Sequence, residues 1–176
     1  MRYAAFMRGL NLGKRNVKME DLKKIFVKLS FTGVESFIAS GNIVFESPSK
    51  DTAALGKKIE AALEKTLGYD VDTFIRDFDE LAAIGKAIPF KGIVDAPTYV
   101  VGFLHAPLDA AGKRRFLSLA AKEDQFAVRG REVFWHSTIG QGESKFGANV
   151  FDKALAVRST WRNLRTVRKM VAKWGA

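Results

Sequence analysis

The first loop of the chain collects cationic and amide side chains that are suited to binding an anion. It contains Arg8, Asn11, Lys14 and Arg15, with glycines between them. Guanidinium, ammonium and amide groups donate hydrogen bonds to phosphate and carboxylate oxygens, and glycine-containing turns let backbone N–H groups converge on an anion. The spacing Gly-x-x-x-Gly-Lys is one residue short of a P-loop, and Arg15 stands where a magnesium-binding hydroxyl is needed. The loop therefore predicts anion binding and argues against nucleoside triphosphate hydrolysis.

A second group of basic side chains lies near the C-terminus, where residues 158–176 contain six basic residues and no acidic one. At about 100° per residue, Arg162, Arg165, Lys169 and Lys173 fall on one face of a helix and apolar residues fall on the other. The pattern predicts an amphipathic helix from about residue 159, whose basic stripe either follows a phosphate backbone or is a solvated face. Asn163 is the polar exception on the apolar face, which favours an amide that caps a loop backbone inside the fold over one that contacts a ligand.

The charge balance is strongly basic and uneven. With 29 Lys and Arg against 19 Asp and Glu, the 176-residue chain has a net charge of +10. Residues 1–90 hold 14 basic and 12 acidic residues, an excess of +2, whereas residues 91–176 hold 15 and 7, an excess of +8. Such a surface attracts nucleic acid, phosphorylated ligands or anionic headgroups, and the same charge also serves solubility.

The elements that must position these residues follow from hydrophobic periodicity. The first half alternates strand, amphipathic helix, hairpin, a helix capped by Ser49 or Asp51 and ended by Gly68, and a further strand. This β-α-β-β-α-β order is typical of ferredoxin-like sheets. Pro89 and Pro97 then interrupt any periodic element, so we place a domain boundary between residues 1–88 and residues 89–176.

The second half repeats the order strand, helix, hairpin, with Asp109 capping the helix and Gly130 in the hairpin turn. Its hairpin matches the first at an offset of 89, which pairs Phe45 with Phe134 as equivalent core positions. We predict an α+β protein of two related β-α-β-β halves, the first ferredoxin-like, with a C-terminal amphipathic helix. In the second half we expect helix in place of the last strand.

This fold brings the first loop to the first hairpin turn. In a ferredoxin-like sheet, strand one lies antiparallel beside strand three, so the Arg8 end of strand one meets the turn around Gly41. The candidate anion-binding residues are then Arg8, Asn11, Lys14, Arg15, Ser40 and Asn42. The alternative is that both segments are connecting turns in which glycine and asparagine serve the backbone.

Other kinds of site have little support in the sequence. His105 and His136 are the two histidines, and they end strands at opposite ends of one predicted sheet, which argues against a metal pair. There is no cysteine for a thiolate or a disulfide, and no Gly-x-Ser-x-Gly elbow. We therefore expect no metal and no cofactor, and we assign no catalytic residue.

Several segments carry a family resemblance. They are Arg8-Gly9-Leu10-Asn11, Gly13-Lys14, Val17-Lys18-Met19, Ser40-Gly41-Asn42-Ile43-Val44-Phe45, Ser144-Lys145-Phe146 and Thr160-Trp161-Arg162-Asn163-Leu164-Arg165-Thr166-Val167. Together they resemble the bacterial family known as domain of unknown function 1697. The chain departs from the family's more frequent Thr-x-Arg-Asn-Trp-Asn-Thr, because its tryptophan stands at 161 and Leu164 follows Asn163. The resemblance implies a bacterial α/β protein without an established activity.

Three functions remain open. The first is a module that binds nucleic acid or a phosphorylated ligand through the basic loop and the C-terminal helix. The second is a small enzyme acting on a phosphorylated or carboxylated metabolite, with Arg8 and Lys14 as electrostatic clamps. The third is an oligomeric interaction protein whose exposed Trp135, Trp161 or Trp174 marks the interface. No apolar run approaches the roughly 20 residues of a membrane span, so we expect a cytoplasmic protein without a membrane partner.

Overall fold

The computed structural model describes residues 1–38, 41–87, 89–90 and 96–175. The chain divides into two compact units, Met1–Ala82 with Met170–Ala176, and Ala83–Lys169. Each unit contains one four-stranded antiparallel sheet with helices interleaved along the chain. Among the described residues, no helix combines the length and the apolar character that crossing a bilayer demands. The predicted α+β architecture of two related halves is confirmed.

The first unit has the predicted ferredoxin-like order. Its elements are β1 (Arg2–Met7), α1 (Met19–Lys28), β2 (Thr32–Ser36), β3 (Asn42–Glu46), α2 (Thr52–Leu67), β4 (Thr73–Asp77) and α3 (Phe78–Lys86). The sheet order is β2-β3-β1-β4. Asp51 caps α2 by accepting a hydrogen bond from the Ala54 backbone N–H at 2.9 Å, and Gly68 ends it with a φ of 80°. Both helix-end predictions are confirmed.

One face of the first sheet packs against its helices. Alternate residues of β1 and β3, including Ala5, Ile43 and Phe45, join Leu22 and Phe26 of α1 in a single hydrophobic cluster. The ring of Phe45 lies 5.5 Å from that of Phe26, in an edge-to-face arrangement. Period-two alternation of strand side chains places this apolar set on the helix side.

The second unit corrects the prediction for its last element. Its elements are β5 (Thr98–Phe103), α4 (Ala110–Leu117), β6 (Asp124–Arg129), β7 (Glu132–Ser137), α5 (Ala148–Leu155), β8 (Thr160–Asn163) and the start of α6 (Leu164–Trp174), with the strand order β6-β7-β5-β8. The end of α6, from Met170, belongs to the first unit, and the end of α3, from Ala83, belongs to the second. The last strand is present, because β8 pairs antiparallel with β5. The expected helix from residue 159 is therefore wrong in its first turn. A four-residue strand running directly into a helix leaves too few residues for period-two alternation to be recognised.

The offset between the two hairpins is 90 residues along the third strands, not 89. In β3, Ile43 and Phe45 face the helices, whereas in β7 the residues facing the helices are Val133 and Trp135. Phe134 is buried on the opposite face, so the predicted equivalence of Phe45 and Phe134 is wrong. The glycine match misled the alignment because the second hairpin turns tightly between Arg129 and Glu132, while the first has a longer loop. A one-residue slip moves every strand side chain to the other face.

Two of the three tryptophans are buried and the third is half-buried. Trp135 is 2% exposed and its indole N–H donates to Asp124 at 2.8 Å. Trp174 is 7% exposed. Trp161 is half-buried and stacks on Phe151 with ring centroids 4.4 Å apart. The expected exposure of Trp135 and Trp174 is therefore wrong, and an oligomer interface at the tryptophans stays a prediction.

Candidate anion site

The first loop meets the first hairpin turn, as the sequence predicts. The Met7 backbone N–H donates to the Gly41 carbonyl at 3.0 Å, and the Arg8 backbone N–H donates to the Asp72 carbonyl at 2.9 Å. Arg8 is partly buried and Lys14 is exposed. Ser40 lies outside the described residues, so its position in the candidate site stays a prediction.

Three of the predicted anion-binding side chains already serve the loop itself. The Asn11 side-chain oxygen accepts from the Val17 backbone N–H at 2.7 Å. Asn42 is fully buried, and its amide nitrogen donates to the Phe37 carbonyl at 3.0 Å. The Arg15 guanidinium lies 3.9 Å from the centre of an aromatic ring, that of Tyr69. These contacts favour the interpretation of connecting turns for the two asparagines, and the ligand roles of Arg8 and Lys14 stay predictions.

The basic stripe is interrupted at its first member. Arg162 lies on β8 and not on α6, so its predicted place on the helical stripe is wrong. Its guanidinium donates to the Trp161 carbonyl at 2.8 Å, and burial lowers its pKa to about 10. The other three members, Arg165, Lys169 and Lys173, lie on α6 and are exposed.

Arg162 has an equivalent in the first unit. Arg76 lies on β4, pairs across the sheet with Ala4, and donates to the carbonyl of the preceding residue, Ile75, at 2.8 Å. Arg162 pairs with Val101 and makes the corresponding bond. Each sheet therefore carries one arginine at the same point of its last strand, and in each case the guanidinium donates to the carbonyl of the preceding residue. The sequence contains a signal for this equivalence. Arg76-Asp77-Phe78 in the first half and Arg162-Asn163-Leu164 in the second are 86 positions apart.

A polar pocket lies where β8 passes directly into α6. We call it the α6 pocket; its volume is about 230 Å³. Its lining residues are Ala96, Pro97, Tyr99, Asn163, Leu164, Arg165 and Arg168. The Asn163 side-chain oxygen accepts from the Arg165 backbone N–H at 2.8 Å, which caps the first turn of the helix. Asn163 therefore caps a backbone group as predicted, but the predicted place is wrong, because it lies at an exposed helix start and not inside the fold.

The two arginines of the α6 pocket, Arg165 and Arg168, are three residues apart on one helix, so both side chains lie on the same side of that helix. The Nε–H of Arg168 donates to the Gly85 carbonyl at 2.9 Å, which uses one of the five N–H groups of that guanidinium. The start of the helix adds the partial positive charge of its backbone dipoles.

Tyr99 provides a neutral hydroxyl at the pocket wall. It is 6% exposed, and its hydroxyl donates a long hydrogen bond of 3.5 Å to the Ala87 carbonyl. Burial raises the pKa of Tyr99, while the positive charges of Arg168 and Arg129 act in the opposite direction. The hydroxyl therefore stays protonated at neutral pH and is a hydrogen-bond donor.

The lining of the α6 pocket suits binding more than catalysis. Of the described residues that line it, none is acidic and none is a histidine, serine or threonine. A nucleophile with an adjacent base, which covalent catalysis requires, is thus missing from this lining set. Two guanidinium groups can instead hold a phosphate or carboxylate by charge-assisted hydrogen bonds. Sequence reasoning missed this pocket because Tyr99 is brought near Asn163 by the pairing of β5 with β8, which is a tertiary contact.

Comparisons with known proteins identify a family and a fold. The family model described as protein of unknown function (DUF1697) matches residues 1–134. The chain is similar to the solved structure of a conserved bacterial protein from Streptococcus pneumoniae, with a TM-score of 0.74 and 24% sequence identity over 99% of this chain and 98% of that one. No curated protein matches the sequence. The structural likeness supports the fold, and neither finding supplies a molecular function.

Proposed function

The chain belongs to the DUF1697 family of proteins of unknown function, and we propose that it binds a small phosphorylated or carboxylated ligand in the α6 pocket. The observation that carries the proposal is the presence of Arg165 and Arg168 together in one pocket at the start of a helix. Arginine forms paired hydrogen bonds to carboxylate and phosphate groups, and a helix N-terminus adds donors and positive charge.

The size of the pocket favours a small ligand over a polymer. At about 230 Å³ it lies below the 300–1,000 Å³ typical of sites for drug-sized ligands. A long phosphate backbone needs a continuous run of cations, but Arg162 leaves the stripe for β8 and Lys173 is 3.3 Å from the Glu35 carboxylate. Nucleic-acid binding therefore has no support from the surface of α6.

The first loop is the weaker candidate for the same ligand chemistry. Asn11 and Asn42 are engaged with backbone groups, and Arg15 is placed over Tyr69. Lys14 is exposed and supplies only a flexible point charge. We place the ligand site in the α6 pocket for this reason.

Calorimetric titration with inorganic phosphate and pyrophosphate at 50 mM salt tests the proposal. We expect saturable binding by the parent protein and at least a tenfold loss of affinity in the double variant Arg165→Gln and Arg168→Gln, because each charged hydrogen bond contributes about 1.5–3 kcal/mol. Lys169→Gln is the matched control on the same helix, and it should leave the affinity within about twofold.

Two results would contradict the proposal. One is the absence of saturable binding by the parent protein to either anion. The other is an equal loss in the double variant and in Lys169→Gln, which would reduce the effect to general surface charge. A single-stranded oligonucleotide is the comparison ligand that represents a polyanion. In its binding, each phosphate contact adds about 0.7 to the slope of log affinity against log salt.

A further inference from the structure

A second pocket lies at the other end of β5. It has a volume of about 410 Å³, and its walls come from the loop after β5, from α4 and from the end of α5. We call it the α4–α5 pocket. The strand β5 has six residues, and strands rise about 3.3 Å per residue, so the two pockets are separated by roughly 20 Å of strand. They are distinct sites within one unit of the chain.

The floor of the α4–α5 pocket is apolar. Leu108 and Leu155 are both buried, and Pro107 and Ala156 add apolar atoms. Val157 also lines the pocket and is 46% exposed, and Pro107 and Ala156 are exposed as well. A ligand that covers these three exposed residues would remove their apolar surface from water.

The rim of this pocket is cationic. Arg115 of α4 and Arg158 after α5 both line it. The Nε–H of Arg115 donates to the Ala154 carbonyl at 3.1 Å, which fixes the guanidinium beside the pocket. The one carboxylate of the lining, Asp109, accepts from the Gly112 backbone N–H at 2.6 Å as the cap of α4. Its negative charge is therefore directed to the start of the helix.

We propose that the α4–α5 pocket binds a monocarboxylic acid with a short apolar tail. The carboxylate is held by Arg115, and the tail covers Pro107 and Val157. A bare phosphate would leave the apolar floor uncovered, and a neutral hydrocarbon would leave the guanidinium without its counter-charge. Arginine and carboxylate are geometrically matched, since the planar guanidinium offers two parallel N–H donors.

Calorimetry or NMR titration of the full chain with hexanoate tests this site, with hexan-1-ol and acetate as partial ligands. We expect saturable hexanoate binding, and at least tenfold weaker binding of both the neutral alcohol and the tail-less acid. Failure of hexanoate to saturate, or equal binding of hexanoate and hexan-1-ol, would overturn the proposal, because the charge would then play no part.

Variants locate the binding. Arg115→Gln and Val157→Ser should each weaken hexanoate binding, the first by about tenfold, while Arg114→Gln is the matched control on the same helix. The exposed Val157 keeps the test usable if Arg115→Gln unfolds the chain, which circular dichroism would reveal. The double variant Arg165→Gln and Arg168→Gln should bind hexanoate normally. Loss of hexanoate binding in that double variant, or its retention in both pocket variants, would refute the assignment.

Discussion

The two strand-to-helix junctions of the molecule share a backbone plan and differ in charge. In the first unit β4 runs directly into α3, and in the second β8 runs directly into α6. At the first junction the Asp77 backbone N–H donates to the Glu80 carboxylate at 3.0 Å, and the Glu80 N–H donates to the Asp77 carboxylate at 2.8 Å. This reciprocal capping box places two negative charges at the positive end of the helix.

At the second junction, the described residues that line the start of the helix include no acid. Asn163 stands at the position of Asp77, and its neutral amide caps the Arg165 N–H. Arg165 in turn stands where the first junction has Asp79. The difference teaches that the same fold can close a helix start on itself or leave it cationic toward a pocket. The candidate anion site is therefore a property of the second junction and not of the fold.

A cross-strand pair shows the same divergence. Arg2 and Glu46 face each other between β1 and β3 and form an ion pair of 2.8 Å. The equivalent pair between β5 and β7 is Tyr99 and His136, whose rings lie 6.0 Å apart. His136 is 2% exposed, and neither ring nitrogen has a hydrogen-bond partner in the described part of the chain. An exposed ionic pair in one half thus corresponds to a buried aromatic pair in the other.

The largest expected effect tests the corrected equivalence of the two hairpins. Phe45→Ala and Trp135→Ala should each lower the free energy of unfolding by about 3–5 kcal/mol, because each deletes a large ring from the helix-facing core. Chemical denaturation measures both values. The exposed Val27→Ala is the control and should change stability by less than about 0.5 kcal/mol. If either aromatic variant loses less than about 1 kcal/mol of unfolding free energy, the two residues are not equivalent core positions.

A smaller effect is expected where the two sheets differ in side-chain volume. Gly102 of β5 occupies the position of Ala5 in β1, but its neighbour on the last strand is Trp161 where Ala5 has Ile75. A Cβ atom at Gly102 would lie 2.8 Å from the Trp161 ring and 2.8 Å from Val133. Gly102→Ala should therefore cost about 1–3 kcal/mol.

A double-mutant cycle sharpens this second prediction. The cost of Gly102→Ala should be smaller in a Trp161→Ile background, which recreates the Ala5–Ile75 pair of the first sheet, because the two side chains are in direct contact. Urea denaturation of the four proteins gives the coupling. Equal costs in the two backgrounds would show that the indole is not what requires glycine.

The smallest expected effect concerns pH. Burial lowers the pKa of His136 from its ordinary 6.5, and the nearby Asp124 charge acts in the opposite direction. The unfolded chain then binds the proton more readily than the folded one, so stability is lost as the pH falls below 6.5 toward the folded pKa. The slope cannot exceed about 1.4 kcal/mol per pH unit. Thermal melts between pH 7.5 and pH 5 should show this slope, and His136→Leu should flatten it.

If His136→Leu leaves the slope as steep as in the parent protein, the buried histidine is not its source.

Local sequence patterns were sufficient for most of the fold. The alternation and helix periodicity predicted the element order, and Asp51, Gly68 and Asp109 marked helix ends correctly, because capping depends on a few neighbouring residues. The four-residue β8 could not be predicted from its own pattern, since its pairing with β5 is a tertiary contact. The hairpin register failed for a related reason: glycine marks a turn, but the turn length decides which face each strand residue takes.

The candidate site was less predictable than the fold. Arg165 was recognised as a cation, but Tyr99, which lines the same pocket, lies more than 60 positions earlier in the sequence. The amides of Asn11 and Asn42 were suited to an anion by chemistry alone, and the structure shows them bonded to backbone groups. Side-chain type indicates what a residue can bind, whereas its existing partners decide what it does bind.

NMR titration of the nitrogen-15-labelled protein with phosphate tests most directly the claim that the anion site belongs to the second junction. The backbone amides of Asn163, Arg165 and Arg168 should shift and saturate with one dissociation constant, while those of Asp77 and Asp79 at the equivalent first junction stay unchanged. Shifts that appear equally at both junctions, or that rise without saturation across all basic surfaces, would contradict the account.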